Sequence, residues 1–226
     1  AMDRPQFPCT GTNAMNDRNV SRATQGLVAY VKEWARREKL PHRPRICISY
    51  DTRYFSREFA DLAAKVITEL GCDALVFAEP RPTPELSFAV RQTDATAGIN
   101  LTASHNPSAY NGYKVYFNDG GQVIEPHASG IIARVNAVPS PHYEPVPRGE
   151  QGRRVTLGTE MDESYLDRLE CVVLDPALVA REKGLKIVYS PLHGVGASII
   201  MPLLRRLGFD ATAVPEQVVP DSRFPT

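Results

Sequence analysis

The stretch ATAGINLTASHNPSAYNGYKVY, residues 95–116, is the strongest indicator of fold in this chain. Residues 97–101 form an apolar run with the length of a buried strand, and residues 113–117 alternate in the manner of a second strand. The polar loop between them carries Ser104, with turn-forming Asn-Pro and Asn-Gly steps after it. The sequence therefore predicts a serine hydroxyl at one edge of a sheet, followed by Lys114 on the next strand.

Strands alternate with helices on the N-terminal side of this stretch. Such alternation predicts right-handed crossovers and a mixed, mainly parallel sheet sandwiched by helices, with its ligand site at the carboxyl ends of the strands. Asp51 and Arg53 follow one strand and are expected to face the Ser104 loop. The predicted elements are a helix over 20–34, a strand over 45–50, a helix capped by Ser56 and stopped at Gly71, a strand over 74–78, and a helix ending near Arg91.

A second, incomplete α/β domain is predicted after a linker. Residues 118–121 are typical of a hairpin turn, residues 131–138 complete a helix, and the proline-rich residues 139–152 favour a boundary. We therefore predict one domain over residues 1–150 and another over residues 151–226. The second contains a helix over 161–174, strands over 186–190 and 211–214, and a helix from the turn at 191–196 to Leu207, with Gly208 as its stop.

Composition narrows the possible partners and location. Lys plus Arg and Asp plus Glu each number 26, and no basic block is present, so neither nucleic acid nor a membrane surface is an expected partner. The four cysteines lack metal-binding spacing, which favours reduced thiols without a structural metal. No apolar run reaches the ~20 residues of a membrane span. We expect a cytoplasmic protein.

The string TASHNPSAYNGYKVY, residues 102–116, resembles the signature of the α-D-phosphohexomutase superfamily, which includes phosphoglucomutase and phosphomannomutase. Further similar strings are GTN at 11–13, YDTR at 50–53, PTP at 82–84, GGQVI at 120–124 and SPLHGVG at 190–196. The resemblance implies the first two domains of an enzyme that interconverts hexose 1-phosphate and hexose 6-phosphate, of glucose, mannose or both. Phosphopentomutase, glucose 1,6-bisphosphate synthase and a shortened non-catalytic phosphosugar- or partner-binding protein are the alternatives.

The resemblance also implies roles for individual residues. Ser104 would carry the phosphoryl group through a bisphosphate intermediate and, once phosphorylated, would be a magnesium ligand. Lys114 would be the acid/base. His105 would assist proton movement, or alternatively brace the loop through a hydrogen bond. Taken without the resemblance, a serine in an Asn-Pro loop is more often a turn residue, and a strand lysine is more often solvated.

Three further residues complete the predicted site. Arg53 suits bidentate phosphate contact, although an ion pair with Asp51 or Glu58 is its alternative. We assign Asn106 and Asn111 to substrate binding. The alternative, more common for asparagine in a loop, is a local hydrogen bond from the side chain to the backbone that shapes the loop. HGVG at 193–196 has the form of a small anion-binding turn, and we interpret it as a structural strand-to-helix turn.

Two departures from the superfamily pattern affect the expected activity. FPCT at 7–10 stands where a GTAGLRG-like segment with a phosphate-facing arginine is usual. Domains III and IV, which would supply three magnesium-binding carboxylates and a phosphate-binding loop, are absent from the 226 residues. The resemblance therefore implies a Mg²⁺ cofactor and glucose 1,6-bisphosphate as activator for the whole enzyme, and an inactive fragment by itself.

Overall fold

A five-stranded sheet forms the centre of the first unit. The computed structural model describes residues 10–225, so of the unusual segment 7–10 only Thr10 lies within the described residues. The strands are β1 (Arg45–Tyr50), β2 (Asp73–Phe77), β3 (Ala97–Leu101), β4 (Tyr113–Phe117) and β5 (Arg154–Leu157). Their order is β4-β3-β1-β2-β5, and only β4 runs antiparallel to its neighbour. The predicted mixed, mainly parallel sheet is confirmed.

Helices cover both faces of this sheet because successive strand residues point to opposite sides. Ile46 and Ile48 of β1 pack in one core with Leu27, while Cys47 packs in a second core with Leu86. All five residues of β2 and of β3 are buried, which is typical of parallel strands covered on both faces. The helices of this unit are α1 (Asp17–Arg37), α2 (Ser56–Glu69), α3 (Thr83–Gln92) and α4 (His127–Ala137), followed by a 3₁₀ turn at Arg148–Glu150.

The start of α2 differs from the prediction. Ser56 is the first residue of the helix, and Phe55, with a left-handed φ of 63°, occupies the N-cap position. The Ser56 hydroxyl donates to Asp51 Oδ1 at 2.8 Å instead of capping the helix. The prediction of Ser56 as the cap is therefore wrong, because a tertiary partner takes its hydroxyl. The predicted stop is confirmed, since Gly71 follows the helix with a φ of +87°.

The second unit is a short α/β arrangement, as predicted. Its helices are α5 (Thr159–Glu170), α6 (Pro176–Arg181), α7 (Ala197–Arg206) and α8 (Pro215–Val218). Strands β6 (Lys186–Tyr189) and β7 (Asp210–Ala213) form a parallel pair. Val188 on β6 is 75% exposed, so one face of this small sheet is open. Helix α6 was not predicted separately, although Asp175 caps it by accepting from the Leu178 amide at 2.8 Å.

Strand β5 lies on the far side of the boundary predicted at residue 150. It pairs with β2 in register, with Ala74 opposite Arg154 and Phe77 opposite Leu157, and so extends the first sheet. Helix α5 then contacts both units, because Tyr165 packs on Phe88 of α3 and shares a core with Ile199 of α7. We keep the two-domain division as a proposal and place the boundary after β5.

Two of the cysteines are small core residues. Cys47 and Cys72 are fully buried, and burial raises the pKa of each thiol to about 12. Both thiols therefore stay protonated near neutral pH. In the described part of the chain, no helix combines the length and apolar character needed to cross a membrane.

Candidate active site

Ser104 stands at the carboxyl edge of the sheet, three residues after β3 ends. Its backbone has a left-handed φ of 59°, a conformation that costs a non-glycine residue about 1–3 kcal/mol. Its amide donates to Thr102 Oγ1 at 2.9 Å, and the Thr102 hydroxyl donates to Asp51 Oδ2 at 2.5 Å. This chain of bonds fixes the backbone of Ser104 and leaves its side chain exposed. Its Oγ lies 3.3 Å from His105 Nδ1, so the structure brings this predicted residue next to the hydroxyl.

Arg53 supports the loop from beneath. Its Nη1 donates to the carbonyls of Pro107 (2.9 Å) and Tyr110 (3.0 Å). Its Nη2 donates to the carbonyls of Ser104 (2.9 Å) and Asn106 (2.6 Å). The residue is only 5% exposed, and its Nε lies 3.2 Å from Asp51 Oδ2.

These contacts decide how Arg53 acts. All four Nη hydrogens are directed at carbonyls of residues 104–110, so none is left for the bidentate phosphate contact suggested by the sequence. In this structure Arg53 positions the loop. The expectation that Asp51 and Arg53 face the Ser104 loop is confirmed by these bonds.

The side-chain amides of Asn106 and Asn111 are also engaged by the protein. Asn106 Nδ2 donates to the Ala103 carbonyl at 2.9 Å. Asn111 Nδ2 donates to the Tyr54 carbonyl and to Ser56 Oγ, both at 2.9 Å, while its Oδ1 accepts from the Gly112 amide at 2.7 Å. Both amides therefore hold the loop in shape, and a direct role in substrate binding stays a prediction.

Lys114 lies on β4, opposite Asn100 of β3 in the antiparallel register. It is half-buried, and among residues 10–225 no hydrogen bond or ion pair engages its ammonium group. Neighbouring Tyr113 points to the other face, where its hydroxyl meets Thr24 Oγ1 at 3.1 Å. Lys114 thus projects from the same face of the sheet as Asn100, which lines the cleft beside Ser104.

A cleft of about 320 Å³ opens next to Ser104 and is lined by both units. Its first-unit wall comes from the carboxyl ends of β1 and β3 and the start of α3. Its second-unit wall comes from the turn between β6 and α7 and from Phe224. The lining residues are Asp51, Thr52, Arg81, Pro82, Thr83, Pro84, Asn100, Thr102, Ser104, His105, Gly194, Val195 and Phe224.

The turn at residues 191–196 is held by backbone contacts. His193 has a left-handed φ of 64° and donates its amide to the Gln217 carbonyl at 2.8 Å. Its Nδ1 lies 2.9 Å from the Val219 carbonyl, and its own carbonyl accepts from Thr52 Oγ1 at 3.1 Å. The interpretation of this segment as a tight strand-to-helix turn is confirmed. Ser222 adds a second link to Thr52 by donating to its carbonyl at 2.7 Å.

A buried charge cluster lies behind the cleft and was missed by sequence reasoning. Arg81 donates to both oxygens of Asp162 on α5, at 2.8 and 2.7 Å. Glu85 on α3 is 0% exposed, and neither of its carboxyl oxygens has a hydrogen-bond partner among the described residues. Burial, reinforced by Asp162, raises the pKa of Glu85 to about 8, so this carboxyl is protonated near neutral pH. No motif pointed to it, because a glutamate in a helical pattern ordinarily lies on the solvated face.

The described residues do not form a complete metal site. Between residues 10 and 225, no three His, Cys, Asp or Glu side chains gather closely enough to hold an ion. The Asp51 carboxylate, which lines the cleft, already accepts from Ser56, Thr102 and the Arg53 amide. Ser104, the one ligand predicted from this chain, is exposed at the cleft, and its role as a ligand stays a prediction.

The fold and the loop define an α/β protein that presents an exposed serine at the carboxyl edge of a mainly parallel sheet. The family model of phosphoglucomutase/phosphomannomutase, alpha/beta/alpha domain I, matches residues 9–141, and that of domain II matches residues 163–226. The chain belongs to the phosphoglucomutase/phosphomannomutase family. The resemblance inferred from the serine loop is thus confirmed.

Individual relatives agree on the family and differ in their named substrates. Over 94% of the present chain, the sequence is 34% identical to a probable phosphomannomutase of Haemophilus influenzae. Over 96% of the present chain, it is 33% identical to human phosphopentomutase. A solved structure of a Thermus thermophilus protein assigned to the phosphomannomutases superposes with a TM-score of 0.75 at 27% identity, over 93% of this chain. These alignments span 42%, 36% and 44% of the respective relatives, so the chain covers less than half of each.

Proposed function

We propose that this chain is the phosphoryl-carrying part of a phosphosugar mutase that interconverts hexose 1-phosphate and hexose 6-phosphate, of glucose, mannose or both. The observation that carries the proposal is the placement of Ser104. Its backbone is fixed by Thr102 and Arg53, while its hydroxyl is exposed at the rim of the cleft. Phosphoryl transfer depends mainly on positioning and charge stabilisation, and a rigid loop with an accessible oxygen provides the first of these.

The proposed reaction has two transfers. First, the bond between phosphorus and Ser104 Oγ breaks while a hydroxyl of the hexose monophosphate forms a new bond to phosphorus, which gives a hexose bisphosphate. The hydroxyl proton passes to a base, and the serine oxygen takes a proton. After the bisphosphate turns around in the cleft, the other phosphoryl group returns to Ser104 with the reverse proton movements. The released product is the positional isomer.

Lys114 is the proposed acid/base for these proton movements, and His105 is its proposed assistant. His105 Nδ1 at 3.3 Å from Ser104 Oγ is within reach of a proton on that oxygen. Arg53, Asn106 and Asn111 hold the loop at the correct distance from the substrate, and substrate contact by Asn106 or Asn111 remains part of the proposal. The substrate is a small phosphosugar, and the reaction is that of a cytoplasmic metabolic enzyme, with no role proposed for nucleic acid or membrane.

The proposed reaction also requires Mg²⁺ and protein groups that these 226 residues do not supply. A Mg²⁺ ion would supply charge neutralisation at the phosphoserine, with Ser104 as the one ligand from this chain. The carboxylates of a third domain would complete its coordination, and glucose 1,6-bisphosphate would serve as activator. Because the chain covers less than half of its relatives, we propose that these residues alone turn over poorly or not at all.

The second candidate is a pentose substrate. It is favoured by the 33% identity to human phosphopentomutase, which is close to the 34% identity to the Haemophilus influenzae relative. Glucose 1,6-bisphosphate synthesis uses the same serine chemistry and is a further alternative. Rates on glucose 1-phosphate and ribose 1-phosphate, measured with the whole enzyme, separate a hexose mutase from a pentose mutase. A non-catalytic phosphosugar- or partner-binding protein would show neither rate.

The test is phosphorylation of the serine. The whole enzyme that contains these residues is incubated with glucose 1,6-bisphosphate and Mg²⁺, and its intact mass and phosphopeptides are measured. We expect a gain of one phosphoryl group on Ser104 that disappears in Ser104→Ala. Ser108→Ala, four residues along the same loop, is the matched control and should still be phosphorylated. Absence of the modification, or its location on Ser108, would overturn the proposal.

A further inference from the structure

Asn100 carries an unsatisfied acceptor at the wall of the cleft. The residue is 2% exposed, and its Nδ2 donates to Thr83 Oγ1 at 2.6 Å. Its Oδ1 has no hydrogen-bond partner among residues 10–225. Buried amide oxygens in folded proteins are nearly always paired, so an unpaired one beside a candidate active site calls for a donor that reaches it.

Lys114 is the donor that the strand register brings to this oxygen. Asn100 and Lys114 are direct partners across the antiparallel pair of β3 and β4, so their side chains leave the same face of the sheet. The Cβ atoms of such partners are about 4.5–5.5 Å apart, a distance that the four-carbon stem of lysine spans. The ammonium group has three hydrogens to donate and accepts none. Within the described part of the chain, those hydrogens have no partner.

Among residues 10–225, no charged side chain is paired with Lys114. The titratable side chains on this face, on the helices that cover it and in the cleft include those of Tyr116, Arg45, Cys47, Asp73, Glu85, Arg91, Asp162, Tyr165, Arg81 and His105. None of them forms a hydrogen bond or ion pair with Lys114 in residues 10–225, and Glu85 lies beside Arg81 instead. At the rim of the cleft, the Asp51 carboxylate is occupied by Thr102 and Ser56.

We propose that Asn100 is a positioning residue for Lys114: rotation of the lysine side chain brings its ammonium group to Asn100 Oδ1, and the resulting hydrogen bond holds that group at the wall of the cleft that Ser104 also lines. The Thr83 hydroxyl accepts from Nδ2 and so leaves the amide oxygen as the group available to the lysine. The proposal deepens the proposed function, because it rests on Lys114 as the acid/base. The two bonding groups both belong to this chain, so their contact can be tested separately from the function.

The test uses the NH₃⁺ signals of the full chain labelled with ¹⁵N-lysine. Lys32 is an internal reference, since its Nζ already donates to the Leu70 carbonyl at 2.8 Å on another part of the molecule. We expect a slowly exchanging Lys114 signal, assigned by its loss in Lys114→Met. Asn100→Leu, of similar size but without an acceptor, should accelerate exchange at Lys114 by about tenfold or more and leave Lys32 unchanged. Asn100→Asp restores an acceptor and should restore protection.

A second measurement covers the case in which Asn100→Leu fails to fold, as loss of the Lys32 signal would reveal. Asn100 itself is left intact in Lys114→Met, and the chemical shifts of its side-chain amide are compared with those of the wild type. A change in chemical shift confined to the Asn100 side-chain amide supports the contact between Asn100 and Lys114. Unchanged Asn100 shifts, or unchanged Lys114 exchange in a folded Asn100→Leu variant, would overturn the proposal. Phosphorylation of Ser104 is measured separately, so failure of the function is distinguished from failure of this contact.

Discussion

Arg53 Nη2 lies 2.9 Å from the carbonyl oxygen of Ser104 and donates to it. The candidate nucleophile is therefore held through its backbone by a side chain more than fifty positions earlier, leaving the serine side chain unconstrained by this bond. Three further carbonyls of the same loop receive hydrogens from this guanidinium. Arginine is well suited to such a role because its donors diverge in a fixed plane.

Replacing Arg53 by methionine should destabilise the protein strongly. The substitution leaves the loop carbonyls without donors and Asp51 without its cation, and we expect the free energy of unfolding to fall by about 3–5 kcal/mol. Urea denaturation followed by circular dichroism measures the change. Arg37→Met removes an exposed pair with Glu38 and should alter stability by about 0.5 kcal/mol or less. Similar values for both variants would show that Arg53 does not support the loop.

Thr102 should control the rigidity of the Ser104 backbone. Thr102→Val keeps the shape of the side chain but removes both the donor to Asp51 and the acceptor for the Ser104 amide. We expect a loss of about 1–3 kcal/mol in stability and faster hydrogen exchange at the Ser104 amide. Thr102→Ser retains the hydroxyl and should protect that amide nearly as well as the wild type. Equal exchange in the valine and serine variants would contradict the prediction.

Glu85 should make stability decrease with rising pH. Its pKa is raised by burial from 4.5 to about 8, so the folded state binds the proton more tightly than the unfolded state does. Stability from this group is fully present below about pH 4.5 and is lost as pH rises through about 8. Glu85→Gln, which cannot ionise, should gain stability relative to the wild type between pH 6 and pH 9, by an amount on the order of 2–4 kcal/mol.

Chemical denaturation at a series of pH values measures this effect. Glu160→Gln, on the exposed start of α5, is the control and should leave the pH profile of stability unchanged. A Glu85→Gln profile parallel to that of the wild type would mean that Glu85 is ionised in the folded protein.

Phe224 should couple the C-terminal segment to the loop support. The Arg53 guanidinium carbon lies 5.0 Å from the centroid of the Phe224 ring, within the range of a cation–π contact. Phe224→Leu should cost about 0.5–1 kcal/mol, and Phe224→Tyr should cost less because it keeps the ring. A double-mutant cycle with Arg53→Met isolates the coupling. A coupling energy indistinguishable from zero would assign the loss to packing alone.

The sequence predicted the elements that depend on local pattern. Strands β1, β3 and β4 occur at the predicted residues because each is a short run of apolar or alternating residues bounded by turns. The serine loop was identified because turn-forming steps follow Ser104 within a few positions. The stop of α2 at Gly71 was likewise local, because it depends on a single residue that tolerates a left-handed backbone.

The sequence could not predict contacts between distant residues. Arg53 was expected to meet phosphate, since nothing local reveals that four carbonyls of residues 104–110 surround it. The Arg81–Asp162 pair joins positions 81 residues apart. Glu85 is buried where α3 packs against α5, two helices that are distant in sequence. The charge of a side chain can be read from sequence, but its partner is set by the tertiary fold.

The place of β5 in the first sheet bears on how this chain can be divided. A piece ending at residue 150 would lose β5 and turn β2 into an edge strand, with the backbone groups that pair with Arg154–Leu157 left open. All five residues of β2 are buried in the intact fold, and an apolar unpaired strand is a template for pairing between molecules. The smallest piece that keeps β2 paired along this side extends through Leu157. Shorter pieces would be prone to aggregate through β2, whatever the state of the serine loop.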